Sequence, residues 1–289
     1  MNECAWDAKF DPAAVKHTVN KWIVGEVKLA ADKIASLLDE FRFDLASSAA
    51  YEFVWNNFCD WYLEFTKPIL AGADEAAKTE TRATTSWVLG QMLHFLHPFM
   101  PYITEELWDQ FVGEGLLISA KWPQLADKLL DKNAQGEIGW VIKLISAVRT
   151  IRAELNVPPA AQVPLQLKDA SPESRARLER HQPVIMRLAR IAGISHVTAL
   201  PKGAAQAIVD ETILILPLAD VIDLEQERVR LGKESEKWAA EIKKIESKLG
   251  NKDFVDRAPP EVVEEHRERK AEAEAMLVKL QAAQKSLSA

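Results

Sequence analysis

The chain has 289 residues, an ordinary hydrophobic share of 48% and a net charge of −7. That size supports two or three structural units with a good core, and that charge excludes a surface coated throughout by nucleic acid. No apolar run approaches the roughly 20 residues that span a bilayer, the start at Met1–Asp7 lacks the basic flank and apolar core of a signal peptide, and two cysteines, Cys4 and Cys59, are too few for a disulfide framework or a zinc site. A soluble, cytoplasmic protein is therefore expected, with no membrane partner. The charge is unevenly placed: the first half is acidic, whereas Arg149 to Arg190 carries about twice as many basic as acidic residues.

Residues 1–135 read as helical throughout. Asp11-Pro12 is an N-cap and first-turn pair, predicted to open a helix with Trp22, Ile23, Leu29, Ile34, Leu37 and Leu38 on its apolar side. The segment Phe53–Phe65 then brings six aromatics into thirteen residues. At the helical period Val54, Phe58, Trp61 and Phe65 share one line, with Tyr51, Trp55 and Tyr62 beside it. An apolar arc that wide must be covered by other helices, which makes this segment the predicted hub of a bundle. Asn57, Asp60, Glu64 and Lys67 form its polar stripe, and Pro68 is expected to close it. A third helix is predicted from near Asp74 and carries Trp87, Val88, Met92, Phe95 and Leu96. Pro98 and Pro101 break it. Thr104 is expected to cap a short fourth helix, with Ile103 and Leu107 spaced as a hydrophobic staple.

Residues 136–218 change character and suggest a small α/β subdomain. A helix is predicted from about Ile138 to Leu155, ending at Asn156-Val157-Pro158-Pro159. Val163–Leu167 alternates and contains Pro164, which suits an edge strand. An arginine-bearing helix is expected from Pro172 to about Ala192, followed by strands at Ala204–Val209 and Thr212–Leu216 joined through Asp210-Glu211.

The tail, residues 219–289, is heptad-like. Val221, Leu224, Leu231, Trp238, Ile242, Ile245 and Leu249 fall on alternating spacings of three and four, with Arg228 and Ser235 in the gaps. Gly250-Asn251 and Pro259-Pro260 bracket a turn, and Val262, Ala273, Met276, Leu280, Ala283 and Leu287 continue the phase. Two arms around a turn predict an antiparallel coiled-coil hairpin, each arm roughly 40 Å long at about 1.5 Å per residue. The whole is thus expected to be mainly α: an antiparallel helical bundle, a small α/β subdomain and a C-terminal coiled-coil hairpin.

No catalytic centre stands out. His94 and His97 are three apart on one helix, but no Cys or second His pair supports a metal. Asp60 with Glu64, and Glu105 with Glu106, are explained by helical polar stripes and first-turn acids. Gly232-Lys233 lacks the upstream glycine of a phosphate loop. The stronger signal is basic. On the helix ending at Asn156, Arg152 projects inside the apolar arc of Val141, Leu144, Ile145, Val148, Ile151 and Leu155, and Arg149 projects at its border. A guanidinium so placed needs a partner. Either it makes a structural salt bridge or caps carbonyls, or the pair faces a groove and takes phosphates in bidentate fashion. Arg177, Arg180 and Arg187 could share a face unless Pro183 turns their helix, or they are simply solvated. Lys237, Lys243, Lys244, Lys248, Lys252 and Arg257 cluster on the first arm and its turn, as ordinary flank charges or as a match for a phosphate backbone.

The segment Tyr51–Tyr62 resembles the anticodon-binding helical domain of the valyl-tRNA synthetase family. Leu96-His97-Pro98-Phe99-Met100-Pro101-Tyr102-Ile103-Thr104-Glu105-Glu106-Leu107-Trp108 resembles an element shared with the isoleucyl and leucyl enzymes. Arg149–Pro159 looks like a further element of that group, and the heptad tail from Val221 is similar to the arm of the valyl member. The resemblance covers essentially the whole chain. It implies a tRNA(Val) partner, with Arg149, Arg152, Asn156, Arg177, Arg180, Arg187, Lys243, Lys244 and Lys248 as candidate tRNA-binding residues.

The His-x-Gly-His and Lys-Met-Ser-Lys-Ser type motifs of class I catalytic domains do not occur in the chain, and neither does an editing domain. The resemblance therefore implies a C-terminal portion with Met1 an internal start, non-catalytic by itself and without a cofactor. ATP would belong to the catalytic domain of the parent enzyme, which charges tRNA(Val) with valine. A monomer with no affinity for DNA is expected. The competing readings are the same domain of an isoleucyl or leucyl enzyme, a coiled-coil scaffold for protein partners, and a stand-alone enzyme.

Overall fold

The structure, a computed structural model, describes residues 4–113, 115–199, 201, 204–219, 221–251 and 259–288, with the side chains of the last helix described to Gln284. It divides into two compact units, Met1–Ile142 and Lys143–Ala289. Both the sheet and the C-terminal hairpin foreseen as separate segments fall within the second unit.

The first unit is a helical bundle. Asp11 caps only a 3-10 turn, Pro12–Ala14, and the first long helix α1 (Thr18–Asp39) begins after His17, whose ring accepts from the Val19 amide. Helices α2 (Phe43–Glu52) and α3 (Leu63–Ala71) are joined without a break by a π-helical stretch, Phe53–Tyr62. There the Leu63 amide bonds to the Phe58 carbonyl five residues back, so the turn is wider than the α period assumed from the sequence. The buried residues are accordingly Phe53, Phe58, Tyr62 and Phe65. Tyr51 and Trp55, expected alongside the core stripe, are 61% and 52% exposed. Pro68 does not end the helix, which runs on to Ala71. The proline lacks a donor, and Thr66 Oγ1 bonds back to the Leu63 carbonyl at 2.9 Å on that turn.

A buried polar chain crosses the bundle. Tyr62 Oη donates to Asn20 Oδ1 at 2.9 Å, and Asn20 Nδ2 donates to Glu80 Oε1 at 2.9 Å and Thr81 Oγ1 at 3.1 Å. Glu80 also accepts the Lys16 and His17 amides, so α1, the π stretch and α4 (Glu75–Leu96, capped by Asp74) are bonded together inside the core. Phe53 meets Phe95 edge-on at 5.5 Å and Trp22 meets Phe65 at 6.0 Å.

Helix α5 spans Pro101–Phe111, starting at the proline rather than after Thr104. Thr104 is buried and bonds His97 Nδ1 at 2.8 Å, while Ile103 and Leu107 are exposed and form no staple. Glu105 accepts the Leu117 and Ile118 amides at 2.7 and 3.0 Å, anchoring the loop after α5 rather than complementing a helix dipole.

Helix α6 (Lys132–Glu154) starts six residues earlier than Ile138, because Asp131 caps it by accepting from Asn133 and Ala134. Its second half belongs to the second unit, whose sheet has the order β2-β1-β4-β3. Strand β1 (Val163–Lys168) pairs parallel with β2 (Ile191–His196) and antiparallel with β4 (Thr212–Pro217), and β4 pairs antiparallel with β3 (Ala204–Val209). The proline-bearing strand is therefore internal, not an edge. Pro164 is tolerated because the register shifts between Val163 and Pro164 and the ladder to β4 engages only Gln166–Lys168. Helix α7 (Pro172–Ala189) ends three residues short of the expected Ala192, because Arg190 takes a left-handed turn (φ 54°) and leads into β2, a strand the sequence pattern did not reveal.

Asp223 caps α8 (Leu224–Leu249), which pairs along its length with α9 (Pro260–Ser288) of the same chain. Arg269–Glu241 (2.7 Å) and Lys270–Glu246 (2.9 Å) cross-link the two helices. On α9 the expected Ala273, Leu280 and Ala283 are buried and Val262 is half-buried, joined by Val263, His266, Lys270 and Leu277, whereas Met276 is exposed and the Leu287 side chain lies outside the described residues. Among the described residues no helix is long and apolar enough to cross a membrane.

Two predictions follow from the first unit's packing. A Cβ on Gly90 would lie 2.3 Å from the Trp6 ring, which packs on Trp108 and Phe111. Gly90→Ala is expected to displace Trp6 and lose about 1–3 kcal/mol, read from the urea midpoint. His94 lies edge-on to Trp108 at 5.1 Å, and burial first, then His97, lowers its pKa from 6.5 to about 4. Its contribution is fully present above the unfolded value and is lost as pH falls toward 4. Roughly 2 kcal/mol should disappear between pH 7 and 4.5, and His94→Gln should flatten that dependence.

Candidate nucleic-acid interface

Three basic surfaces carry the candidate residues, all in the second unit. The first lies where α6 ends. Arg152 is 8% exposed, and its Nη2 donates to the Pro158 and Ala161 carbonyls at 3.1 and 2.9 Å. Its geometry is that of carbonyl capping, so the side chain fixes the turn between α6 and β1 and does not lie open in a groove. Burial, and secondarily the charge of Arg190, lower its pKa from the ordinary arginine value. Arg149 is exposed, and its Nε donates to the Leu188 carbonyl at 3.0 Å, near the C-terminal end of α7, where a cation is favoured by the helix dipole.

Asn156 sits in a left-handed turn (φ 46°) just past α6. With its amide oxygen turned toward Arg230, it accepts from Arg230 Nε at 2.9 Å. Arg230 Nη2 also donates to the Glu154 carbonyl at 3.0 Å, and Nη1 pairs with Glu234 at 2.8 Å. Asn156 thus anchors the base of the hairpin. Arg230 was not singled out in the sequence because an arginine flanked by Glu227 and Glu234 reads as an ordinary helical ion pair.

The second surface is α7. Its helix runs unbroken through Pro183, so Arg180 and Arg187 keep the seven-residue spacing that places them on one exposed side. Arg177 is drawn into an ion pair with Glu173. Glu211 accepts from Ser174 Oγ at 2.7 Å and the Ser171 amide at 3.2 Å, and these bonds hold its carboxyl down to about 2. It fixes the start of α7.

The third surface is the hairpin. Lys243, Lys244 and Lys248 are exposed on α8 and make no ion pair among the described residues. Projected at about 100° per residue, Lys244 and Lys248 align with Lys233 and Lys237 in a stripe about 60° wide, with Lys243 to one side. In the sequence Lys233 reads with Gly232 as a fragment of a phosphate loop; its spacing of four, seven and four with Lys237, Lys244 and Lys248 is the signal that marks the stripe. Helix α9 presents the opposite sign outward, through Glu261, Glu264, Glu265, Glu268 and Glu272. Lys252 and Arg257 lie outside the described residues. In the first unit, Tyr51 and Trp55 stack with 7° between planes, beside an open groove of about 510 Å³ lined by Val54, Leu96, Phe99 and Met100.

Residues 20–167, just over half of the chain, match the anticodon-binding domain of tRNA ligase, and the chain belongs to that family. Residues 223–288 match the valyl tRNA synthetase tRNA binding arm. The chain is similar to the valine–tRNA ligase of Caulobacter vibrioides, with 48% identity over 98% of this chain and 32% of that protein. The enzyme of Nitrobacter winogradskyi is 40% identical over 100% of the chain and 33% of its own length, and that of Granulibacter bethesdensis 47% over 95% and 31%. The chain spans about a third of the length of these relatives.

The geometry of Arg152 has a direct consequence. Arg152→Ala leaves two loop carbonyls without their donor and opens a buried space, so it should destabilise the second unit by roughly 2–4 kcal/mol. Denaturant unfolding of wild type and variant measures this, and an unchanged midpoint would show that the carbonyl bonds contribute nothing.

Proposed function

We propose that this chain is the tRNA-binding part of a valine–tRNA ligase, and that its RNA partner is tRNA(Val). The observation that carries the reading is the stripe of exposed lysines along α8, without an ion pair among the described residues, and the glutamates turned outward along α9. A rod about 40 Å long at about 1.5 Å per residue, with a lysine stripe on one helix and glutamates on the outward face of the other, favours a phosphate backbone along its lysine side. Lysine serves there as a mobile point charge that follows the backbone without reading sequence.

The bundle would supply the sequence-dependent part. RNA loops are read by stacking and by hydrogen bonds to unstacked bases, and helical surfaces bearing exposed aromatics such as Tyr51 and Trp55 suit that task. In this reading the chain performs no chemistry and takes no cofactor. ATP and valine belong to a catalytic domain of the parent enzyme, and the chain contributes by holding a long substrate so that its distant end is placed for reaction. A monomer in the cytoplasm, with no role for DNA or a membrane, completes the proposal.

Binding of a valine tRNA and an unrelated tRNA at two salt concentrations tests it. Preference for the valine tRNA, weakening as salt rises, is expected. Changing Lys237, Lys244 and Lys248 together to Gln should weaken both RNAs alike and make the salt dependence shallower by about two to three units, roughly one per phosphate contact. The helix content should be unchanged, because all three side chains are exposed. Affinity that is absent at both salts would reject the reading in favour of a protein-binding scaffold.

A further inference from the structure

The turn that joins α1 to α2 holds a bulky side chain where the backbone is least suited to one. The Phe41 amide bonds to the Leu38 carbonyl at 3.0 Å and the Arg42 amide to the Leu37 carbonyl at 2.8 Å. In this paired closure of a helix the left-handed position is ordinarily glycine. Phe41 occupies it, at φ 59°. A large residue is strained there, because its Cβ crowds the following carbonyl. Packing within the fold does not offset that strain: the ring is 79% exposed, and its ring partner at 6.3 Å, Phe43, is itself exposed. Strain kept at an exposed aromatic is the mark of a contact made outside the fold.

The bundle gathers further apolar groups at the same end. Asn20 bonds Thr81 toward the starts of α1 and α4, and further along both helices Trp122 touches each. Its Nε1 donates to the Ala31 carbonyl at 3.3 Å and its ring lies 5.8 Å from Phe95. The two helices therefore run parallel, and the turns that follow them lie at one end of the bundle. An open groove lined by Ser47 and Ser48 on α2 and by Phe99 and Met100 after α4 joins the two turns. That end carries Phe41, Phe43 and Leu45 from the first turn and Tyr102 and Ile103 from the second, all exposed. Single exposed apolar residues are ordinary, whereas several at one end mark a surface that is covered in function. The surface adjoins the Tyr51–Trp55 stack without including it.

Charge separates protein from nucleic acid as the cover. The first turn carries exposed Asp39, Glu40 and Asp44 against one cation, Arg42, which pairs with Asp44 at 3.5 Å. Helix α5 has Glu105, Glu106 and Asp109 and no lysine or arginine. Such a margin repels a phosphate backbone, whereas it complements a protein face with basic residues around an apolar pocket.

We propose that this end of the bundle docks on the catalytic domain of the parent enzyme, with the Phe41 ring as the anchor that enters an apolar pocket there. This rests on the reading of the chain as part of a valine–tRNA ligase, since the chain spans about a third of the length of those relatives and the remainder offers a body for it to meet. Glycine at position 41 suits the fold, and phenylalanine suits the contact.

The test mixes the full chain with the part of the Caulobacter vibrioides enzyme that lies outside the match, in preparations shown to be folded by their activation of valine with ATP. Calorimetric titration should show saturable binding that Phe41→Gly weakens about ten-fold. The same substitution should not lower the urea midpoint of the chain alone, because relief of the left-handed strain offsets the freer unfolded chain. Phe41→Ala, which removes the ring and keeps the strained backbone, should weaken docking equally. Neither variant should change the affinity for valine tRNA.

A midpoint that falls in Phe41→Gly would show that the ring supports the fold, and a body that fails to bind, or binds wild type and variants alike, removes the docking surface. Either result overturns the proposal. Loss of tRNA affinity in step with body affinity would assign this end to RNA, and a wild-type dimer that the substitutions dissociate would assign it to a second copy. Both overturn it as well. Wild type that binds tRNA but not the body rejects this proposal alone, whereas wild type that binds the body but no tRNA rejects the RNA reading and leaves the docking in place.

Discussion

The turn between α6 and β1 depends on one buried charge. Arg152 reaches from the last turn of α6 to the Pro158 and Ala161 carbonyls, and those two bonds decide where β1 begins. Much of the second unit follows from that point. Strand β1 is internal, so its placement sets β2 on one side and β4 on the other. The neighbouring Glu154 carbonyl and Asn156 hold Arg230, which roots the hairpin at the same place. A hydrophobic residue at position 152 would fill the space, but it could not bind the two carbonyls of a proline-rich loop that has few amides to offer.

The first unit solves a similar problem around the Glu80 carboxylate, which accepts from Asn20 and from the Lys16 and His17 amides. Asn20, Tyr62, Thr81 and Glu80 form a closed set of hydrogen bonds across three helical segments, where apolar packing alone would leave rotation and register less defined. The π stretch belongs to this arrangement. By widening the turn it carries Phe53, Phe58 and Tyr62 inward at spacings of five and four, and releases Trp55 to the surface beside Tyr51. The same local distortion thus builds the core and exposes a stacked aromatic pair.

The family relationship and the electrostatics agree in kind. The anticodon-binding family match covers the bundle and continues into the second unit through β1, and the arm match covers the hairpin, where exposed lysines lie on the outside of α8. Net acidity of the chain is compatible with this, because the acidic residues are largely elsewhere: on α9, or in pairs with arginines and lysines of their own helix. What matters for a polyanion is the local field within a Debye length, not the sum over the molecule.

The apolar periodicity of the chain was enough to determine a helical bundle, paired strands at Ala204–Val209 and Thr212–Leu216 and a two-armed tail, since each is a local pattern of three to seven residues. It was not enough wherever partners distant in sequence decide. The π turn could not be read because the pattern assumed a fixed period, and the true period was set by packing against α1 and α4. Strand β2 was hidden because the helical pattern was carried on to Ala192 and the short remainder, Gly193–His196, shows no clear alternation; a left-handed Arg190 and pairing with β1 make Ile191–His196 a strand. On α9 the expected Ala273, Leu280 and Ala283 are buried, but Met276 is exposed, and Lys270, which the apolar pattern passes over, is half-buried and paired with Glu246 across the hairpin. Arg152 marks the boundary most clearly. Its place inside an apolar arc was visible in the sequence, and so was its need for a partner. Which partner it took was decided by two carbonyls that only the folded turn brings within reach.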